Sequence, residues 1–102
     1  MPTLPESIIR DSIFQFLRAS GCFVWREKQP TKRHRNPFPE NKGVSDILGV
    51  TKHGKFIAVE VKVKGNDTSL EQDAFLNEVR RRGGIGVIAY DLEDVRWIPK
   101  SD

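Results

Sequence analysis

The sequence GVSDILGVTKHGKFIAVEVK, from Gly43 to Lys62, decides the fold. It predicts two β-strands joined by a tight hairpin, with apolar residues along both strands. Side chains alternate along a strand, so Glu60 and Lys62 are expected on the face opposite to their apolar neighbours. The apolar residues assigned to the first strand are Val44, Ile47 and Val50, and those of the second are Phe56, Ile57, Val59, Val61 and Val63.

The length of the hairpin loop decides on which face Asp46 lies. A three-residue loop usually combines a type I turn with a left-handed residue, and Lys52-His53-Gly54 fits that pattern with glycine in the left-handed position. This loop places Asp46 opposite Glu60. A two-residue His53-Gly54 turn would instead move Asp46 to the other face, because the register would shift by one.

Two carboxylates placed opposite each other need a compensating cation. Side chains directly opposite on neighbouring strands have Cβ atoms about 5 Å apart, and like charges in such a pair are destabilising. Carboxylate oxygens are hard ligands of the kind that Mg²⁺ and Mn²⁺ prefer. Asp46 and Glu60 are therefore predicted to bind Mg²⁺ or Mn²⁺ between them.

Composition and charge set the protein class. The 102 residues, 37% hydrophobic and 30% charged, predict one globular domain, 1–102. The net charge of +3 permits a nucleic-acid partner without demanding one. With Cys22 as the sole cysteine there is no intrachain disulfide, and no stretch has the length of a membrane span. The expected location is cytoplasmic, in a bacterium or a phage-infected host cell, without membrane association.

Residues Pro5 to Ser20 predict an amphipathic helix that ends at Gly21. Its apolar stripe consists of Ile9, Ile13, Phe16 and Leu17. Glu6, one turn before the stripe, can lie at the edge of the buried face. Its alternative role is that of a first-turn acid that interacts favourably with the helix dipole.

The predicted strand Cys22 to Arg26 is followed by a basic segment from Glu27 to Gly43 with three prolines and no periodicity. A loop of this length in a compact domain is more often functional or mobile than idle. Its basic side chains suit DNA phosphates, and Phe38 suits a wedge or stacking contact. The alternative is a solvated charged loop. The predicted phosphate-binding residues are Lys28, Lys32, Arg33, Arg35 and Lys42.

The second half of the chain predicts a helix and a further strand. Ser69 and Gln72 form a capping-box pattern before a helix that ends at Gly83-Gly84. Ile85 to Tyr90 predicts the fourth strand, and Asp91 to Val95 a short turn or helical segment. The fold class is therefore α/β, a mixed sheet flanked by helices in the order α-β-β-β-α-β.

The polar residues of these elements indicate a function more specifically as one pattern than each residue does alone. Glu60 and Lys62 alone are explained as a solvated strand face, and Gln72 alone as a helix cap. Asp46 is harder to explain in this way, since an acid in an apolar strand is costly unless paired. The full pattern is G-x-x-D, then E-x-K fourteen residues after the aspartate, then glutamine ten residues after the lysine.

This pattern resembles the PD-(D/E)XK nuclease superfamily, and within it the virus-type replication-repair nuclease (VRR-Nuc) family. The similarity extends over nearly the whole chain, and we see no departure at the motif positions. Accessory DNA-repair modules, with which some members are fused, are not expected here. The similar segments are the helix opening at Glu6, V-W-R at Val24 to Arg26, G-V-S-D at Gly43 to Asp46, V-E-V-K at Val59 to Lys62, S-L-E-Q at Ser69 to Gln72, and residues Arg81 to Ala89.

The resemblance implies a restriction-endonuclease-like fold and a metal-dependent hydrolysis of phosphodiester bonds. Asp46 and Glu60 would bind Mg²⁺ or Mn²⁺, together with the backbone carbonyl of Val61 and, through water, Glu6. Lys62 would position or help to deprotonate the attacking water, and Gln72 would orient that water or the lysine. The implied catalytic residues are thus Glu6, Asp46, Glu60, Lys62 and Gln72.

Stand-alone members of this family resemble homodimeric Holliday-junction resolvases, so a DNA four-way junction is the expected substrate. A flap, nick or restriction-like nuclease is the alternative within the same class of enzyme. A nucleic-acid-binding module without catalysis is less favoured, because both acids and the lysine are present. A protein-interaction domain would leave Asp46 unexplained.

Overall fold

A computed structural model of the chain describes residues 4–27 and 43–102. Two α-helices and four strands follow each other in the predicted order, and two short 3-10 turns close the chain. The α/β class is confirmed. The elements are α1 Glu6–Ala19, β1 Phe23–Arg26, β2 Ile47–Val50, β3 Phe56–Val61, α2 Leu70–Arg81 and β4 Ile85–Ala89, with 3-10 turns Leu92–Val95 and Ile98–Lys100.

The four strands form one mixed sheet in the order β1-β2-β3-β4. β1 and β2 pair antiparallel, as do β2 and β3, whereas β4 runs parallel to β3. A parallel pair needs a crossover connection, and α2 provides it. β3 is central and is buried from Ile57 to Val61. Glu60, near the C-terminal end of β3, is therefore buried.

The three-residue hairpin loop is confirmed. Thr51 N–H donates to the Lys55 carbonyl at 2.8 Å, and Gly54 adopts the left-handed conformation with φ +94°. Val50 pairs with Phe56, and Ile47 pairs with Val59. The same register, continued by one residue, places Asp46 opposite Glu60, as the odd loop requires.

The strands are shorter than predicted at the end that carries the charged residues. Val44 lies before β2, and Val63 lies after β3. The cause is local. At this point Val61 N–H donates to the Asp46 side chain, at 2.9 Å, and the backbone pairing between β2 and β3 ends. At this end of the sheet the Asp46 carboxylate thus takes the place of a backbone partner for β3.

The two faces of the sheet carry separate cores. On one face α1 buries Ile9, Ile13 and Leu17 against alternate strand residues, which include Val59 and Val61. On the other face α2 buries Leu76 against Leu48 and Ala58. By strand alternation Asp46 and Glu60 belong to the α2 face. The start of α2 lies on this face and packs against Gly43, three residues before Asp46.

Gly43 sets how closely α2 approaches the segment that leads to Asp46. Its φ is +83°, and a Cβ built on it would lie 2.2 Å from the backbone carbonyl oxygen of Glu71. Such a distance requires the helix or the segment to move. Gly43 therefore serves both the left-handed turn and the close packing of α2.

Gly43→Ala is expected to lower the free energy of unfolding by about 3 kcal/mol, since it adds backbone strain to a steric overlap with α2. Urea unfolding measures this loss. Gly54→Ala is the matched control, because Gly54 is also left-handed (φ +94°) but has no atom within 4 Å of its Cβ position. The control should lose only about 1 kcal/mol. Equal losses in both variants would contradict a role for Gly43 in helix packing.

Candidate active site

Asp46 is held rigidly at the start of β2. It is 8% exposed, its Oδ2 accepts from Val61 N–H at 2.9 Å, and its own carbonyl accepts from Glu27 N–H at 2.9 Å. The carboxylate thus bridges from β2 to the backbone of β3. A backbone hydrogen bond to a carboxylate fixes its direction. Asp46 is in this way pre-oriented beside Glu60.

Glu60 is almost completely buried, with 1% of its surface exposed. Burial raises its pKa to about 9, and the hydrogen bond and negative charge of the neighbouring Asp46 add to this shift. Its Oε1 atom has no hydrogen-bond partner among the described residues. A buried carboxylate oxygen without a partner is costly, so this atom is suited to a cation that replaces the missing donor.

Lys62 and Glu6 are both near enough to act electrostatically on Glu60. The Lys62 cation lowers the pKa of Glu60, and the Glu6 carboxylate makes the smallest contribution towards raising it. Lys62 continues the ladder, since its N–H donates to the Ala89 carbonyl at 3.0 Å. Glu6, in the first turn of α1, pairs with Arg10 at 3.0 Å. Two strand ends and one helix start therefore converge on the Asp46–Glu60 pair.

Comparison with solved structures identifies the fold. One similar structure, described as a VRR_NUC domain, is 18% identical, matches 93% of this chain and 94% of its own length, and superposes with a TM-score of 0.69. A second, described as a VRR_NUC domain protein, is 14% identical and matches 99% of this chain and 89% of its own, with a TM-score of 0.70. The chain has the VRR_NUC fold. The mixed sheet flanked by helices that the sequence predicted is thereby confirmed, and its fold is that of the VRR_NUC structures.

The similarity to the VRR_NUC fold is detected by comparing structures and not by comparing sequences. No family model matches the sequence, and no curated protein matches it.

Gln72 occupies the capping position that its spacing from Ser69 predicted. Its Oε1 accepts from Ser69 N–H at 2.8 Å, while Gln72 N–H donates to Ser69 Oγ at 3.1 Å. This turn of α2 packs against Gly43, three residues before Asp46. The VRR_NUC fold thus brings the backbone of Gln72 close to the segment that carries Asp46. A catalytic role for its side chain stays a prediction.

The donor set fits a small divalent cation. Among residues 4–27 and 43–102, no three His, Cys, Asp or Glu side chains form a metal-binding group on their own. The prediction requires only two direct carboxylates, Asp46 and Glu60, with the Val61 carbonyl and a water-mediated contact from Glu6. The Oε1 of Glu60, which has no partner among the described residues, lies beside a second carboxyl group, and this pair of oxygen donors fits such a cation.

The five basic residues predicted to contact DNA phosphates lie outside the described residues. They are Lys28, Lys32, Arg33, Arg35 and Lys42. Their role stays a prediction. Within the described part of the chain no helix is long and apolar enough to cross a membrane.

The structure places two further residues next to predicted site residues, and the sequence did not predict either of them. Arg10 pairs with Glu6, and its Nε is buried without a partner among the described residues. The four-residue spacing of these two side chains was the available signal. Tyr90 follows β4 by one residue and lies beside Lys62 when the β3–β4 register is continued. That proximity depends on a parallel pairing which the sequence pattern alone does not specify.

Proposed function

We propose that this protein is a Mg²⁺- or Mn²⁺-dependent DNA endonuclease that hydrolyses phosphodiester bonds. The observation that carries the proposal is the convergence of Asp46 and Lys62 on a buried Glu60 whose Oε1 has no partner among the described residues. Two carboxylates and one lysine at one end of the sheet would supply cation binding and charge stabilisation at one place. The VRR_NUC fold of the chain agrees with this chemistry.

Each residue has a distinct task in the proposed reaction. Asp46, oriented by Val61 N–H, and Glu60, through its free oxygen, would hold the cation. When bound, a divalent cation polarises the scissile phosphate and lowers the pKa of a water molecule. Lys62, as a cation, would orient the attacking water and stabilise the negative charge that builds up on the phosphate, while the proton of that water passes to solvent. No covalent bond to the protein is needed.

The proposed substrate is a four-way DNA junction, cut by a homodimer with two active sites related by a two-fold axis. The support is the sequence resemblance to stand-alone VRR-Nuc nucleases. A domain of 102 residues also has little surface with which to hold the four arms of a junction, which favours the pairing of two copies. The mildly basic net charge of +3 favours binding to a polyanion.

Cleavage of labelled DNA tests the proposal directly. The protein is expected to cut a four-way junction with paired incisions in Mg²⁺ or Mn²⁺ and to be inactive in EDTA. Flap, nicked and linear duplexes of matched sequence are compared in parallel. Preferential cutting of flaps or duplexes would overturn the junction assignment and keep the nuclease. Tight binding without cleavage in either metal would overturn the nuclease and leave a DNA-binding module.

A further inference from the structure

A cleft lined by polar residues lies where the chain leaves β3 and β4. Its volume is about 420 Å³, and Lys64, Asn66, Tyr90, Asp91 and Asp94 contribute to its lining. A cleft of this size lies within the range of sites that hold small ligands, which is roughly 300–1,000 Å³. None of these residues has a task in the hydrolysis proposed above.

Tyr90 connects this cleft to the active site. Val61 pairs with Ala89 in parallel register, and Lys62 N–H donates to the Ala89 carbonyl at 3.0 Å. Continuing the pairing by one residue places Tyr90 beside Lys62. Register partners in neighbouring strands project to the same face, so the tyrosine and the lysine share the face that also carries Glu60. A molecule held by Tyr90 would therefore lie beside Lys62, the residue proposed above to act on the phosphate.

The cleft walls are fixed by hydrogen bonds before any ligand binds. Asp94 Oδ2 accepts from Tyr90 N–H at 2.8 Å and from Asp91 N–H at 3.3 Å. On the other side, Asn66 N–H donates to the Val63 carbonyl at 3.0 Å and closes a turn at left-handed Gly65. Tyr90 nevertheless keeps 37% of its surface exposed. The aromatic ring is thus available on a rigid backbone.

The charge of the residues that line the cleft favours a nucleobase over the phosphate groups of a nucleic acid. Among the described residues, three carboxylates, those of Asp67, Asp91 and Asp94, line the cleft together with one cation, Lys64. This balance repels a run of phosphates but suits a nucleobase, whose edge can donate to a carboxylate and whose face can stack on an aromatic ring. A base is free to stack on protein only when it is unpaired and out of its own helical stack.

We propose that this cleft binds one unstacked nucleobase of the DNA substrate, adjacent to the scissile phosphate, with Tyr90 as the stacking platform. The inference rests on the proposed nuclease function and narrows its substrate to DNA that has an unpaired or easily unpaired nucleotide beside the cut. Tyr90 is a specificity-determining residue in this arrangement. The hydrolytic groups remain Asp46, Glu60 and Lys62.

The test uses branched DNA with 2-aminopurine at one unpaired position next to the branch, and binding is measured in EDTA, where no cleavage is expected. Wild-type protein should quench the fluorescence of 2-aminopurine through stacking. Tyr90→Ala should weaken binding by about 5- to 100-fold and abolish the quenching, whereas Tyr90→Phe should retain both. Phe56→Ala is the matched control, because Phe56 is 38% exposed at the opposite end of β3.

Cleavage in Mg²⁺ separates the outcomes. Quenching that needs Tyr90, in a protein that cuts no DNA, would support the cleft and overturn the nuclease. Wild-type affinity and quenching in Tyr90→Ala would overturn the cleft, and cleavage that depends on Lys62 would then still support the nuclease. An equal effect of Phe56→Ala would likewise overturn a specific role for Tyr90. A cooperative thermal melting transition, measured for each variant, is the control for correct folding.

Discussion

Lys62→Ala is expected to slow metal-dependent DNA cleavage by about 10²- to 10⁴-fold, the range typical for loss of a group that transfers protons or stabilises charge in the transition state. The half-buried Lys62 lies close enough to Glu60 to lower its pKa. It is therefore placed to act on the same phosphate as the proposed cation. Single-turnover cleavage at saturating enzyme measures the loss in the chemical step rather than in binding.

The dependence of cleavage on Mg²⁺ concentration separates the lysine from the carboxylates. Lys62→Ala should keep the wild-type midpoint, because the lysine binds no metal. Glu60→Ala should need far more Mg²⁺, since it removes the unpartnered oxygen. Lys55→Ala is the control for charge alone, as Lys55 is exposed beside the hairpin loop. Retention of activity within threefold in Lys62→Ala would exclude a catalytic role for this side chain.

The local parts of the fold could be predicted from the sequence because short-range chemistry determines them. The loop Lys52-His53-Gly54 needs a left-handed third residue, and glycine supplies it, so the register that brings Asp46 opposite Glu60 follows from loop length alone. The Ser69–Gln72 capping box is equally local. Alternation along β3 then assigns Glu60 and Lys62 to one face.

Features that depend on packing between distant segments could not be predicted. The hydrogen bond from Val61 N–H to the Asp46 side chain ends the strand pairing early, and no periodicity encodes it. The contact of Gly43 with Glu71 requires α2 to be docked on the sheet. Tyr90 becomes a neighbour of Lys62 only through the parallel β3–β4 register. In each case the two residues are far apart in the sequence, and no local sequence pattern indicates that they are in contact.

Glu60→Gln is expected to stabilise the metal-free protein at neutral and alkaline pH. The pKa of Glu60 in the folded protein, about 9, lies above its ordinary value of 4.5. The folded state therefore binds more protons than the unfolded state between these two values, so the free energy of unfolding of the wild type falls as pH rises through this window. Glutamine is similar in shape and carries no charge, so it removes this dependence.

Urea unfolding in EDTA between pH 5 and pH 8.5 measures the difference. Near pH 5 the two proteins should be close in stability, and at pH 8 the variant should be more stable by about 2–4 kcal/mol. Glu71→Gln is the matched control, because Glu71 is exposed in the first turn of α2. That variant should follow the pH dependence of the wild type.

Addition of Mg²⁺ is expected to remove most of the stability advantage of Glu60→Gln. A cation that binds only the folded state at 100 times its dissociation constant adds about 2.7 kcal/mol to the wild type. Glu60→Gln, without the charged ligand, should gain much less. If the variant were no more stable than the wild type in EDTA at pH 8, Glu60 would not be a strained buried acid. If both gained equally from Mg²⁺, the cation would bind elsewhere, and the unpartnered oxygen of Glu60 would need another explanation.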